Sequence, residues 1–403
     1  RNLFLIVQGQ FVSLTGNSVG IIVLALWTLE VTNNPSIVGA VMFCSVLPQV
    51  LFAPLGGVLV DRSSKKRIVV ATDTAMGLSM LSIAIPFLLL EWSPIQVVYW
   101  LMVVVAINGV CAAFFQPAMF AIVPSIVEKR QLDDANSLLS AANATARIIG
   151  MGLGGVLYRI LGGPVVFLLD GISFLLSAIS ESFLRIPGDQ SRHETPVNLI
   201  ENLKVGFRRF WNDRGLRNAY LLFTGWNFVM ATNITAFPIL VTKFHGQSGA
   251  WFGYIAASIA AGSLVGLAIF KRLDSNGPRR FFLFTATIAV VGLSMTAIAF
   301  TPNSYLAVGV GFVMGAAHAP MEVMLRTVVQ ATVSADVIGR VSSVATALIG
   351  ISIPIGYVFW GYLLALTNQN APLMLMICGL GIIFFLVITS MSRDYRNFMA
   401  TTI

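Results

Sequence analysis

Twelve apolar runs make up most of the chain, and most charges fall in the breaks between them. Each run is about 20 residues long, enough to cross the hydrocarbon core of a bilayer as a helix. The runs read as about 3–29, 36–60, 67–90, 95–122, 135–158, 164–186, 217–242, 250–270, 280–300, 304–331, 339–366 and 371–392. Composition agrees, with 57% of residues hydrophobic, 10% charged and a mean hydropathy of +0.84. A soluble domain carries about 25% charged residues. The expected fold is therefore an all-α membrane protein with twelve transmembrane helices.

A net charge of +8 points toward nucleic acid only until the positions are read. Basic residues gather in alternate loops: Arg62 to Arg67, Lys129 and Arg130, Arg185 to Arg217, Lys271 and Arg272, Arg279 and Arg280, Arg340, Arg393 and Arg396. Arg159 and Lys243 are the exceptions. This distribution puts those loops and both termini in the cytoplasm. It sets nucleic acid aside as a partner and leaves membrane lipids, with anionic headgroups as a second attraction. Cys44, Cys111 and Cys378 lie inside apolar runs without C-x-x-C spacing, so they read as packing residues, neither a disulfide framework nor a metal site. No cleavable signal-peptide pattern is visible, since the first run is long enough to be a span itself. A start at Arg1 rather than Met reads as the loss of a few terminal residues.

One long polar stretch, from Pro187 to Arg217, divides the chain. Phe207, Phe210 and Trp211 beside Arg208 and Arg209 suggest an amphipathic helix on the inner leaflet. The regions are then a first bundle at 1–186, a cytoplasmic linker at 187–216 and a second bundle at 217–403. The halves resemble each other. Gln116-Pro117 closes the fourth span and Asn136 opens the fifth; Ala319-Pro320 and Gly339 do the same for the tenth and eleventh, 203 residues later.

The densest charges lie in the hairpin Leu55 to Ile68, between the second and third runs. Its Gly57, Leu59, Asp61, Arg62, Lys65 and Lys66 resemble the G-x-L-x-D-R-x-G-R-K pattern of major facilitator superfamily transporters. Ser64 stands where that family usually has Gly. Ser13 to Asn17, Thr32 with Pro35, Ala71-Thr-Asp73, Gln116-Pro117, Leu132 with Ala135-Asn136, and Phe167-Leu-Leu-Asp170 follow in family order. The ordered set resembles the bacterial exporter branch that includes macrolide efflux proteins and the enterobactin exporter.

The resemblance implies two pseudo-symmetric six-helix bundles in the bacterial cell membrane, acting as a monomer without a cofactor. It implies a secondary active exporter of an amphipathic small molecule: a drug, antibiotic, siderophore or peptide-like solute. Alternating access and proton antiport come with it. A lipid or lysolipid translocator is the alternative. A membrane enzyme or receptor is a third class, but H-E-x-x-H, G-x-S-x-G and P-loop patterns are absent.

The resemblance also assigns roles. Gly57, Asp61, Arg62, Lys65, Lys66 and Arg67 become a conformational latch between helix ends. Gly150, Gly154 and Gly155 resemble an antiporter motif, with Met151 in the place of its proline; a G-x-x-x-G helix contact is the plain reading. The arginine that many antiporters carry in the fourth span is missing beside Asn108.

Ionisable groups inside hydrocarbon each need a reason. His318, Glu322 and Arg326 share one face of the tenth span, which lines the cavity in relatives. Glu322 reads either as a proton or cation site or as half of a salt bridge with Arg326. Arg147 reads as a partner for an acidic group or substrate carboxylate, or as a gate or snorkelling residue. Asp73 reads as a partner of the basic hairpin or a proton site, and Asp170 and Glu181 as structural pairs. Glu30 lies at the outer end of the first span, solvated or in an outer gate. Asn17, Asn108 and Asn227 line a cavity or join helices by hydrogen bonds.

Overall fold

The computed structural model of the chain describes residues 2–83, 85–86, 92–128, 131–186, 199–273, 276–334 and 338–401. The described residues hold no strand. Five helices come first: α1 (Asn2–Thr32), α2 (Pro35–Arg62), α3 (Lys65–Leu81), α4 (Pro94–Ile126) and α5 (Leu132–Ser182). Nine more follow: α6 (Leu199–Asn212), α7 (Arg214–Met230), α8 (Thr232–Ile239), α9 (Ala250–Phe270), α10 (Pro278–Ala299), α11 (Ser304–Thr332), α12 (Ile338–Leu366), α13 (Ala371–Met391) and α14 (Arg393–Met399).

Nine helices among the described residues are long and apolar enough to cross a bilayer. The twelve expected spans meet them with three departures. The fifth and sixth spans are two helices that meet at Gly162, whose φ of 76° and ψ of 165° are not helical and suit a residue without Cβ; α5 denotes both. The third span is described as a helix only over the 17 residues of α3. The seventh is divided into α7, α8 and a π-helical turn, Leu240–Phe244. Pro238 brings no N–H to the ladder just before that turn.

The polar breaks work as helix caps. The side chain of Asn34 accepts the amide of Ser36, Ser64 that of Arg67, Asn303 that of Leu306 and Asn370 that of Leu373. Ser93 and Gln96 form a capping box. Each cap satisfies an orphan donor at a helix start. Asn33, Asn368 and Gln369 take positive φ, so two of these breaks turn within a few residues. Away from the caps, large apolar side chains stand on the outside. Phe120 is 84% exposed and Phe384 67%. That surface suits lipid and would promote association in water.

The chain forms two compact units. One comprises Arg1–Thr195 with Ser248–Ala257, the other Pro196–Gln247 with Ser258–Ile403. Helix α6, expected in a separate linker, groups with the second unit, and the start of α9 with the first. The polar residues 187–198 ahead of α6, among them Asp189, Arg192, His193 and Glu194, lie outside the described residues.

Packing repeats between the units. In the first, α1 runs along α5, α2 packs on α4, and α3 packs on α4 and α5. In the second, α12 packs on α7, and α10 packs on α11 and α13. The α2–α4 contact has its counterpart in α9–α11, and glycines make both. A Cβ on Gly56 would stand 2.0 Å from the Ala113 carbonyl oxygen, and one on Gly109 2.6 Å from that of Ser45. In the second unit a Cβ on Gly262 would meet the Phe312 oxygen at 2.0 Å, and one on Gly315 the Ile259 oxygen at 1.9 Å. Without side chains the backbones come within direct contact, which drives association where both partners are already in lipid.

Candidate functional site

Helices α1 to α5 enclose a cavity of about 300 Å³ in the first unit. The α1 residues Gln10, Ser13, Asn17 and Gly20 recur every three or four positions, so one face of α1 forms a wall. Ser45 and Gln49 of α2, Asn108 and Gln116 of α4, and Asn143 and Arg147 of α5 add amide, hydroxyl and guanidinium groups. Met76, Met80, Phe115, Phe167 and Phe174 provide apolar surface between them. Asp73 and Asp170 complete the lining.

The polar groups differ in how far their bonding is satisfied. Asn108 accepts a hydrogen bond from Ser79 Oγ at 2.7 Å. Asn143 Oδ1 is buried without a partner. Asn17 is exposed into the cavity, and Arg147 is exposed with no carboxylate within 4 Å among the described residues. A guanidinium without a carboxylate partner among the described residues, beside the unsatisfied Asn143 amide, can hold an anionic or strongly polar group of a ligand.

Three carboxylates of this unit are withdrawn from solvent: Asp73 is 1% exposed, Asp170 3% and Glu181 0%. The structural pairing expected for Asp170 and Glu181 is not seen among the described residues. Among the described residues none of the three has a cationic partner, and Asp73 turns to the α5 face and the cavity rather than to the basic hairpin. Asp170 Oδ1 accepts only a long 3.5 Å contact from Ser173. Asp73 Oδ2 and both oxygens of Glu181 make no hydrogen bond.

The other predicted residues fall in separate places. In the second unit Arg326 donates to Glu322 at 3.3 Å, the ion pair read from their spacing, and both side chains are exposed. His318 lies one turn away and packs on Trp226, with ring centroids 5.5 Å apart. Asn227 donates to the carbonyl of Phe223 in its own helix at 2.8 Å, so its amide is spent locally. Glu30 accepts a hydrogen bond from Tyr158 in the first unit.

In the hairpin, the side chain of Asp61 lies outside the described residues. Arg62 and Arg67 are exposed, Lys65 and Lys66 half-buried. The close-approach glycine is Gly56; Gly57 faces open space, with nothing within 4 Å of a Cβ placed there. The reason is angular: adjacent helix positions point about 100° apart, so only one of two neighbours can face α4. Gly150 and Gly154 lie on one face against α1, where Cβ atoms would meet Thr15 and Ser18, and Ile22. Gly155 faces the other way, toward the Ala250 backbone within the same unit.

Sequence reasoning missed Gln10, Ser13 and Gln49 as cavity residues. Their spacing with Asn17 was a readable signal for α1. Nothing local marked Gln49.

The Major Facilitator Superfamily profile matches residues 6–357. Macrolide efflux protein A of Streptococcus pyogenes is 24% identical over 87% of this chain and 86% of its own length. Multidrug efflux pump Tap of Mycobacterium tuberculosis is 25% identical over 89% and 86%. The putative bacilysin exporter BacE of Bacillus subtilis is 26% identical over 82% and 80%. Among solved structures, nucleoside transporter NupG superposes with a TM-score of 0.77 at 13% identity, covering 97% of this chain and 98% of its own.

Proposed function

Because the chain belongs to the Major Facilitator Superfamily, we propose that it is a secondary active exporter of an amphipathic small molecule, exchanging it for protons by alternating access. The observation that carries this reading is the first-unit cavity, with its amides and one unpaired arginine set among methionine and phenylalanine side chains. Such a lining suits a ligand with both polar and apolar faces. Relatives named as macrolide, multidrug and bacilysin exporters support the direction of transport. Its place is the bacterial cell membrane, with both termini in the cytoplasm by the charge pattern.

Within this reading Arg147 and Asn17 contact substrate, with Asn108 behind them. Glu322 and Arg326 form a charge pair in the second unit, and His318 and Asn227 support the helices around it. The Arg62 to Arg67 hairpin with Asp61 is the conformational latch, a charge cluster that holds one state and separates in the other. Gly150, Gly154 and Gly155 let α5 slide closely on its neighbours.

Purified protein in proteoliposomes tests the proposal. Labelled erythromycin and ethidium are offered under an imposed pH gradient. Accumulation that collapses with a protonophore is expected. Equal accumulation in empty liposomes, for these and for bacilysin-like dipeptides, overturns it.

A further inference from the structure

The export reading leaves one group of side chains unused, the buried carboxylates of the first unit. Asp170, Ser173, Ser177 and Glu181 fall at i, i+3, i+7 and i+11 of α5, one face of the helix. The stripe spans about 16 Å along the axis at 1.5 Å per residue. Helix α1 receives it with glycines. A Cβ on Gly9 would stand 3.2 Å from Ser177 Oγ, on Gly16 2.3 Å from Ser173 Oγ, and on Gly20 2.9 Å from Asp170 Oδ2. From the α3 side, Gly77 and Gly171 bring the backbones together, a Cβ on Gly77 lying 2.9 Å from the Gly171 oxygen. Ser177 lies next to both Asp73 and Glu181, and those two carboxylates interact with each other.

Among the described residues, no packed element brings a compensating charge. Helix α1 presents Gly9, Gly16 and Gly20 to the stripe and the uncharged Gln10, Ser13 and Asn17 to the cavity. Helix α3 presents Asp73 itself, and α4 presents Cys111, within electrostatic reach of Asp73. Arg147 shares the cavity but lies beyond 4 Å of every carboxylate among the described residues. Buried carboxylates whose polar neighbours are serine hydroxyls, with no cation among the described residues, carry most of their desolvation cost unless a proton neutralises them. A purely structural acid would be expected to have a partner. Here Asp73, fully buried and with one oxygen unpartnered, borders the cavity, as does Asp170.

We infer that Asp170, Asp73 and Glu181 are the proton-carrying groups of the transport cycle, with Ser173 and Ser177 between them. The inference rests on the export reading and assigns its coupling to the first unit rather than to Glu322. A carboxylate oxygen takes a proton from cavity water in one state and returns it to water in the other. No bond except O–H forms or breaks.

Two measurements on the full chain separate this inference from the reading it rests on. In proteoliposomes, erythromycin accumulation under a pH gradient is divided by erythromycin exchange without one. Asp170→Asn and Glu181→Gln are each expected to lower that ratio about tenfold, as for loss of an intramembrane functional acid. A wild-type ratio in both variants, or a sodium gradient replacing the pH gradient, overturns the assignment. Infrared spectra of the purified protein from about pH 5 to about pH 9 then need no substrate. A protonated-carboxyl band that titrates in this range and is missing in Asp170→Asn supports the assignment even if erythromycin is not moved. No such band overturns it. If Asp170→Asn aggregates, Ser173→Ala keeps every acid and should shift the midpoint of the same band; an unmoved midpoint counts against the stripe.

Discussion

The two units share their glycine crossings and treat charge in opposite ways. In the first, three carboxylates are buried among helices, two of them bordering the cavity, without a cation among the described residues. In the second, no described carboxylate is buried; Glu322 is exposed beside Arg326, and a buried ionisable side chain is Arg280, whose guanidinium donates to the Thr401 carbonyl at 2.9 Å. A repeated scaffold thus holds one unit arranged for charge to come and go and one whose charges are already answered. Shared packing shows what the fold requires of both halves; the unshared charge marks where the work has been divided.

The shared part of this comparison is tested most severely by the glycine crossings. Gly56→Ala and Gly315→Ala each force a methyl into a backbone carbonyl. Both should lose about 1–3 kcal/mol, the cost of overpacking a tight contact. Thermal unfolding in detergent reads this as a lowered Tm for each, with Gly57→Ala unchanged or slightly raised. Tolerance at one crossing and failure at the other would break the equivalence of the units.

The unshared part is sharpened by the charged residues of each unit. Arg147→Ala removes the unpaired cation lining the cavity and should cut erythromycin transport about tenfold, equal to about 1.4 kcal/mol. Smaller is the effect of an exposed cap: Asn303→Ala should cost about 1 kcal/mol of stability, seen as a modest fall in Tm. Smallest is Glu322→Gln, because an exposed i,i+4 pair contributes about 0.3–0.5 kcal/mol. Gradient-driven transport should survive it nearly whole. Its abolition would move the coupling site to the second unit and reverse the comparison.

Much of this was legible along the chain. Span length and the Gly150–Gly154 face follow from periods and residue types. So does the Glu322–Arg326 pair, one of the two readings that four-residue spacing allowed. The buried acids were visible as residues but not in their condition. Whether Asp170 has a partner depends on which helix lies against α5, and here that helix is α1 with three glycines. The choice between Gly56 and Gly57 needs the rotation of α2 about its axis. The break between the fifth and sixth spans was legible in Gly162, Gly163 and Pro164, and the positive φ of Gly162 falls there.

Helix α1 is confined on two sides. Gly16 and Gly20 touch the Asp170 stripe, while Thr15, Ser18 and Ile22 meet Gly150 and Gly154. Neither side has room for a larger side chain on its partner. In evolutionary terms the packed faces of α1 are the fixed spine of the cavity, and variation in what the protein exports has to enter at positions that face open cavity space, such as Asn17, Gln49, Asn108 and Gln116.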